Sequence, residues 1–172
     1  AFNQENDEES AGNTWGNTAP TASNFYVGDN DTNTSSATYV AYLWADHPND
    51  GSSTGFSSDG TTPVISCGGY TGNGNATGPS ITTGFEPQWL LLKNIDDNYN
   101  TWYLFDRMRG FGSAGKEDAF LRPNEANASD VGAHYLMVKP DGFQVFGTGG
   151  HTNGDGDNYI YIVISRGGDT EP

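Results

Sequence analysis

The sequence predicts an all-β protein with little or no helix, and three observations lead to that prediction. Of its 172 residues 24 are glycine, and Gly, Asn, Ser and Thr dominate the polar residues, which suits short strands joined by tight turns. Aromatic residues make up 13% of the chain, and aromatic and β-branched side chains favour pleated strands. Leu, Ala, Glu and Lys are too few for a helical protein of this length.

Two strands are predicted in the N-terminal part of the chain, ahead of a long polar stretch. Residues 24–28 form the first, closed by the Asp- and Asn-rich residues 29–33. Residues 38–45 (TYVAYLWA) are β-forming and apolar on both faces, as in a strand buried within a sandwich. Residues 46–62 are rich in Gly, Ser, Thr and Asp, which predicts a linker or a long surface loop.

Six further strands are predicted, each a short β-forming run bounded by turn residues. They lie at residues 63–69, 88–93, 101–106, 135–138, 143–146 and 159–165. Pro140-Asp141-Gly142 predicts a tight turn between two of them, because Pro presets the turn and Gly accepts a positive φ. The only helix candidate is weak and lies at residues 117–121 or at residues 124–130. Strands at this spacing favour an antiparallel β-sandwich of the jelly-roll or concanavalin-like lectin type.

An internal repeat is indicated by similar residues at one fixed offset. Phe2 aligns with Phe120, and the same offset places Phe25 on Phe143. After a short slip, Tyr39-Val40-Ala41-Tyr42 aligns with Tyr159-Ile160-Tyr161-Ile162. The alternative is coincidence among strands rich in Gly and Asn.

The repeat divides the chain into unequal parts. Residues 1–45 are then the C-terminal part of a preceding repeat, or a docking arm. After the linker at 46–62, residues 63–166 form a complete β-sandwich repeat, and residues 167–172 are a tail.

Several short motifs occur in a fixed order along the chain. They are GYTGNG at 69–74, TGFEPQWLLLK at 83–93, WYLFDRMRG at 102–110, LRPN at 121–124, DGF at 141–143 and NYIY at 158–161. The ordered set resembles a tandem repeat domain of structural proteins in marine tailed phages, including cyanophages. The resemblance implies a fibre, capsid decoration or tail-associated component of the virion, hence a virion or extracellular location. It supplies no catalytic residues.

The incomplete repeat predicts an assembly interface. Its strands need partners from elsewhere in the chain, from residues upstream, or from a neighbouring subunit, since unpaired edge strands invite association. The aromatic residues expected at this interface are Phe2, Trp15, Phe25, Tyr39 and Tyr42. We therefore expect a homo-oligomer, or assembly with other virion proteins.

The net charge of −15 argues against two classes of partner. An acidic surface repels phosphate backbones and anionic lipid, which disfavours nucleic-acid and membrane-surface binding. No apolar run is long enough to span a membrane. One explanation of the acidic composition is solubility. The more specific alternative is that clusters of carboxylates bind calcium.

Weak calcium sites are the only cofactor sites that the sequence suggests. Two equivalent turns offer alternating oxygen ligands, at Asp29, Asp31, Asp155 and Asp157. Neither turn completes an EF-hand loop, and a partial Asp/Asn turn is more often only a turn.

No residue pattern predicts catalysis, so we expect the protein not to be an enzyme. His47, His134 and His151 show neither nucleophile-elbow nor metal-ligand spacing. The alternative function is carbohydrate recognition by a receptor-binding module, with a host surface glycan as partner. Trp15 would be its stacking platform, because the other tryptophans lie within predicted strands.

Overall fold

The computed structural model describes residues 18–19, 21, 23–28, 32–44, 64–97, 101–112, 117–126, 128–132 and 135–166. The strands are β1 (Ile65–Thr71), β2 (Thr77–Thr82), β3 (Pro87–Asn94), β4 (Trp102–Asp106), β5 (Ala119–Leu121), β6 (Asp130–Val131), β7 (Leu136–Lys139), β8 (Gly142–Phe146) and β9 (Asn158–Ser165). A 3-10 turn, Arg107–Arg109, follows β4. All the strands belong to one compact unit of the chain, and Glu8–Leu43 form a second unit.

The strands form two antiparallel sheets. The larger sheet has six strands in the order β1-β9-β3-β4-β5-β6, and the smaller has three in the order β2-β8-β7. Strand β9 lies between β1 and β3, so that Tyr161 is opposite Gly68 on one side and Leu92 on the other. The turn at Pro140 and Asp141 joins β7 to β8, as predicted.

The core lies between the two sheets and is largely aromatic. Strand β4 alternates half-buried and buried residues, so that Tyr103 and Phe105 face inward. From the smaller sheet, Phe143 meets Tyr161 of the larger one edge to face, with ring centroids 5.5 Å apart. Each buried aromatic ring removes about 150–250 Å² of surface from water, which is the main stabilisation available to a thin sandwich. The predicted all-β antiparallel sandwich is confirmed, while its jelly-roll or lectin subtype stays a prediction.

Two sequence predictions between β4 and β7 are wrong. Residues 119–121 form a strand and not a helix, because Phe120 pairs with Phe105 and inserts into the core. Residues 122–125 form a turn, in which the Glu125 amide donates to the Arg122 carbonyl, and residue 126 has no helix assignment. Strand β2 was not predicted, since its Gly78 and Pro79 are unfavourable in strands.

The predicted N-terminal strands are absent from the described residues of that part. Residues 24–28 and 38–44 have no strand assignment, although residues 38–44 are rich in β-forming side chains. Propensity alone does not make a strand, because a strand forms only by pairing with a neighbour. Phe25 is 46% exposed whereas its counterpart Phe143 is fully buried, so the aligned copies differ in structure. The predicted linker at 46–62 and tail at 167–172 lie outside the described residues.

Candidate functional site

Exposed apolar side chains concentrate in one segment of the chain. Seven of the ten large hydrophobic residues found exposed among the described residues are Phe25, Tyr26, Val27, Tyr39, Val40, Tyr42 and Leu43. Three of these seven, Phe25, Tyr39 and Tyr42, were predicted as assembly residues. The other two predicted assembly residues, Phe2 and Trp15, lie outside the described part of the chain.

Short turns shape this segment locally. The Ala37 amide donates to the Thr34 carbonyl at 3.1 Å, and Ser36 has a φ of 66°. The Tyr39 hydroxyl accepts from the Thr34 amide at 2.8 Å, which folds the tyrosine back over the turn. Beyond this turn Val40, Tyr42 and Leu43 are 72–77% exposed. A run of apolar side chains exposed to this degree is typical of surfaces that bind another protein.

A loop with a buried polar network lies at one end of the sandwich, between β8 and β9. The Asn153 side chain is fully buried, and its amide nitrogen donates to Asn73 Oδ1 and to the carbonyls of Asn75 and Gly147 at 2.8–3.1 Å. Its Oδ1 accepts from the Asn73 amide at 2.9 Å. One side chain thus ties three segments of the chain together.

Asn94, at the end of β3, fixes the other side of the same loop. Its amide nitrogen donates to the Gly150 carbonyl at 2.8 Å and to Asp157 Oδ2 at 2.9 Å. The Tyr159 hydroxyl donates to the same Gly150 carbonyl at 2.8 Å and accepts from the Gly154 amide. Burial raises the pKa of Tyr159 to about 12, so this hydroxyl keeps its proton. The loop is therefore held rigidly by buried hydrogen bonds.

The structure places no additional metal ligands beside the predicted calcium-binding residues that it describes, Asp155 and Asp157. Asp157 already accepts a hydrogen bond from Asn94, and Asp155 is exposed. Within the described ranges, no group of three or more His, Cys, Asp or Glu residues is placed to hold a metal ion. Asp29 and Asp31 lie outside those ranges.

A cluster of titratable side chains lies beside the loop. The Tyr103 hydroxyl and His151 Nδ1 are 2.9 Å apart, and the His151 ring meets Tyr135 edge to face. Arg122 lies over the Phe120 ring at 5.2 Å. Burial and the charge of Arg122 lower the pKa of His151, while burial raises that of Tyr103 to about 12. His151 is thus a neutral imidazole near pH 7.

Sequence reasoning did not find this cluster or the buried amides. His151 is exposed, as expected of an ordinary surface histidine, but its contact with Tyr103 was not predicted, and Asn94 and Asn153 were not singled out. The only usable signal was Asn94, a polar residue directly following the apolar run of β3. His47 and His134 lie outside the described residues, as does Trp15, on which the carbohydrate alternative depended. Trp44, Trp89 and Trp102 are half-buried.

Comparison with known proteins places residues 1–166 in one family. A family model described as a domain of unknown function, DUF7483, matches residues 1–166, which include both the exposed apolar segment and the sandwich. No curated protein and no solved structure matches the chain. In the part of the chain that the structure describes, no helix has the length and apolar character to cross a membrane. The chain belongs to the DUF7483 family.

Proposed function

We propose that the chain is a non-catalytic structural module of a tailed-phage virion that acts by self-assembly and surface presentation. It serves as a fibre, capsid decoration or tail-associated component, and its partners are further copies of itself or other virion proteins. The observation that carries the proposal is the exposed apolar segment ending at Leu43. Soluble monomers rarely expose a contiguous apolar patch of this kind without using it to bind.

The charge distribution supports association through this segment. The chain contains 22 acidic residues and only 7 basic ones, so two copies carry a large charge of the same sign and repel each other. Residues 32–44 contain no charged side chain. Contact through this segment therefore avoids like-charge repulsion and removes apolar surface from water.

The sandwich supports the presentation part of the proposal. Its aromatic core and the two buried asparagines, Asn94 and Asn153, hold the loop between β8 and β9 in one conformation. A rigid scaffold that displays polar loops suits a particle surface. The phage assignment is supported by the order of motifs from GYTGNG to NYIY, and the virion location follows from it.

The proposal is tested by measuring assembly and location together. Sedimentation velocity on the full chain is expected to show oligomers whose population grows with concentration. Antibodies against the chain are expected to label phage particles at regular positions in electron micrographs. A chain that stays monomeric and labels no particle would contradict the proposal. Release of reducing ends from a polysaccharide would contradict the non-catalytic part alone.

A further inference from the structure

The sequence contains two Asn-Gly pairs, Asn73-Gly74 and Asn153-Gly154, and the fold brings them together. The Asn153 side-chain nitrogen donates to Asn73 Oδ1 at 3.1 Å, and the Asn73 backbone amide donates to Asn153 Oδ1 at 2.9 Å. Both pairs have the same covalent structure, so a large difference in their reactivity must be imposed by the fold.

An asparagine followed by glycine deamidates readily, because glycine has no side chain to obstruct the reaction. The glycine backbone nitrogen attacks the asparagine Cγ and loses its proton, the side-chain nitrogen leaves as ammonia, and a cyclic succinimide forms. Water then opens the ring at either carbonyl, which gives aspartate or isoaspartate. The reaction therefore requires an attacking amide that is not held elsewhere, a side-chain nitrogen that can leave, and access for water.

Asn73-Gly74 meets these three requirements. Asn73 is exposed, and its side-chain nitrogen donates to the Thr77 carbonyl at 3.4 Å, which is long for a hydrogen bond. Among the described residues, the Gly74 amide donates to no acceptor. Asn73 Oδ1 accepts from the Asn75 amide at 3.0 Å, which folds the side chain back over the backbone of Gly74. The fold therefore blocks neither the attacking nor the leaving nitrogen at this pair.

Asn153-Gly154 meets none of them. Both residues are buried, and the Asn153 side-chain nitrogen donates to three oxygens at 2.8–3.1 Å, so ammonia cannot leave without breaking three hydrogen bonds. The Gly154 amide donates to the Tyr159 hydroxyl at 2.8 Å, which holds the attacking nitrogen and the proton that it must lose. Reaction at Asn153 therefore requires local opening of the loop between β8 and β9.

We propose that Asn73 is a deamidation site at which water converts the side-chain amide into a carboxylate, whereas Asn153 is protected by its buried hydrogen bonds and by the Tyr159 hydroxyl. The overall reaction takes up one water molecule and releases one ammonia, so it needs no oxidant, reductant or enzyme. This inference goes beyond the proposed function and does not depend on it.

The isoaspartyl product lengthens the backbone, because the Cβ of residue 73 becomes part of the main chain. The turn has no room for the added atom, since even a Cβ at the preceding Gly72 would come within 2.2 Å of the Gly154 carbonyl oxygen. Isoaspartate is therefore expected to loosen the loop between β8 and β9, whose Asn153 is hydrogen-bonded to this residue. Hydrogen exchange in that loop is expected to rise with the isoaspartate content. Unchanged exchange in converted protein would contradict this consequence.

A first experiment measures both reactions in one sample. The full chain is incubated at mildly alkaline pH, and the peptides that contain each Asn-Gly pair are quantified by mass spectrometry and by isoaspartyl methyltransferase. We expect Asn73 to deamidate at least about tenfold faster than Asn153, because a site that reacts only after local opening is slowed by the opening equilibrium. In concentrated urea the two rates are expected to be similar.

Two results of this experiment would overturn the proposal. One is a folded chain in which Asn73 deamidates no faster than Asn153. The other is a folded chain in which neither pair reacts although both react in urea. Because the unchanged chain supplies both rates, the comparison does not depend on the folding of any variant.

A second experiment tests the cause of the protection with Tyr159→Phe, which keeps the ring and removes the hydroxyl that holds the Gly154 amide. Deamidation of Asn153 is expected to accelerate. Tyr70→Phe is the matched control, because it removes a neighbouring hydroxyl that donates to the Thr152 carbonyl at 2.7 Å and leaves the Gly154 contact in place. Equal Asn153 rates in the two variants would overturn the protecting role of Tyr159.

Discussion

Individual buried amides determine the loop end of the sandwich. Asn94 and Asn153 are fully buried; Asn94 donates to the Gly150 carbonyl, and Asn153 donates to the carbonyls of Asn75 and Gly147. A buried acceptor without a donor costs roughly 1–3 kcal/mol, so these two side chains matter more than exposed asparagines. Asn153 was not predictable as a buried residue, because asparagine in a glycine-rich stretch ordinarily indicates an exposed turn, whereas Asn94 directly follows the apolar run of β3.

Asn153→Asp is expected to destabilise the fold by about 3 kcal/mol or more. A carboxylate cannot donate to the three oxygens that the Asn153 amide nitrogen contacts. Asn75→Asp is the control, because the exposed Asn75 takes part in this network through its backbone carbonyl. Urea denaturation of both variants measures the difference. Similar midpoints would show that the network contributes little to stability.

His151 gives the fold a pH dependence of known sign. Burial and Arg122 lower its pKa from the ordinary value of 6.5, so the unfolded chain binds this proton more readily than the folded one. The contribution of neutral His151 to the free energy of unfolding is therefore complete above pH 6.5. It is lost as the pH falls through and below 6.5. His151→Gln is expected to flatten the dependence of the urea midpoint between about pH 7 and pH 5.5. An unchanged slope in the variant would assign that dependence to other groups.

At the scale of strands, the sequence predicted the long alternating elements and missed the short ones. Strands β4 and β9 were predictable because inward aromatic residues alternate with outward residues. Strand β5 was not predictable, because its three residues form a strand only by pairing with β4, where Phe120 is opposite Phe105. The opposite error occurred at residues 38–44, where strong β propensity gave no strand. In both cases pairing with distant residues decides the outcome, and local sequence does not report it.

Gly112, three residues after the 3-10 turn, accepts a hydrogen bond from the Val138 amide of β7 at 3.3 Å. Its replacement by alanine is expected to separate the cost of backbone strain from the cost of a steric collision. Gly112 and Gly147 both have a positive φ, of 75° and 82°, so alanine strains the backbone at either site by about 1–2 kcal/mol. Only at Gly112 would the new Cβ collide with Val138, at 2.3 Å. Gly112→Ala is therefore expected to cost about 1–3 kcal/mol more than Gly147→Ala in thermal or urea denaturation. Equal costs would mean that β7 shifts to make room.

At the scale of the whole molecule, the net charge of −15 sets how assembly responds to salt. Raising the salt concentration from about 0.1 M to about 1 M shortens the screening length from about 10 Å to about 3 Å. Repulsion between acidic copies then weakens, while the proposed apolar contact through the uncharged residues 32–44 does not. Self-association measured by sedimentation is expected to strengthen with salt. Weaker association at high salt would indicate an interface of ion pairs.

The position of β9 also governs the order in which the larger sheet can form during translation. It is the last described strand along the chain, yet it lies between β1 and β3. At about 5–20 residues per second, several seconds separate the synthesis of Ile65 from that of Ser165. Throughout that interval β1 lacks β9, the described strand with which it pairs. The larger sheet therefore reaches its final strand order only after synthesis has passed Ser165.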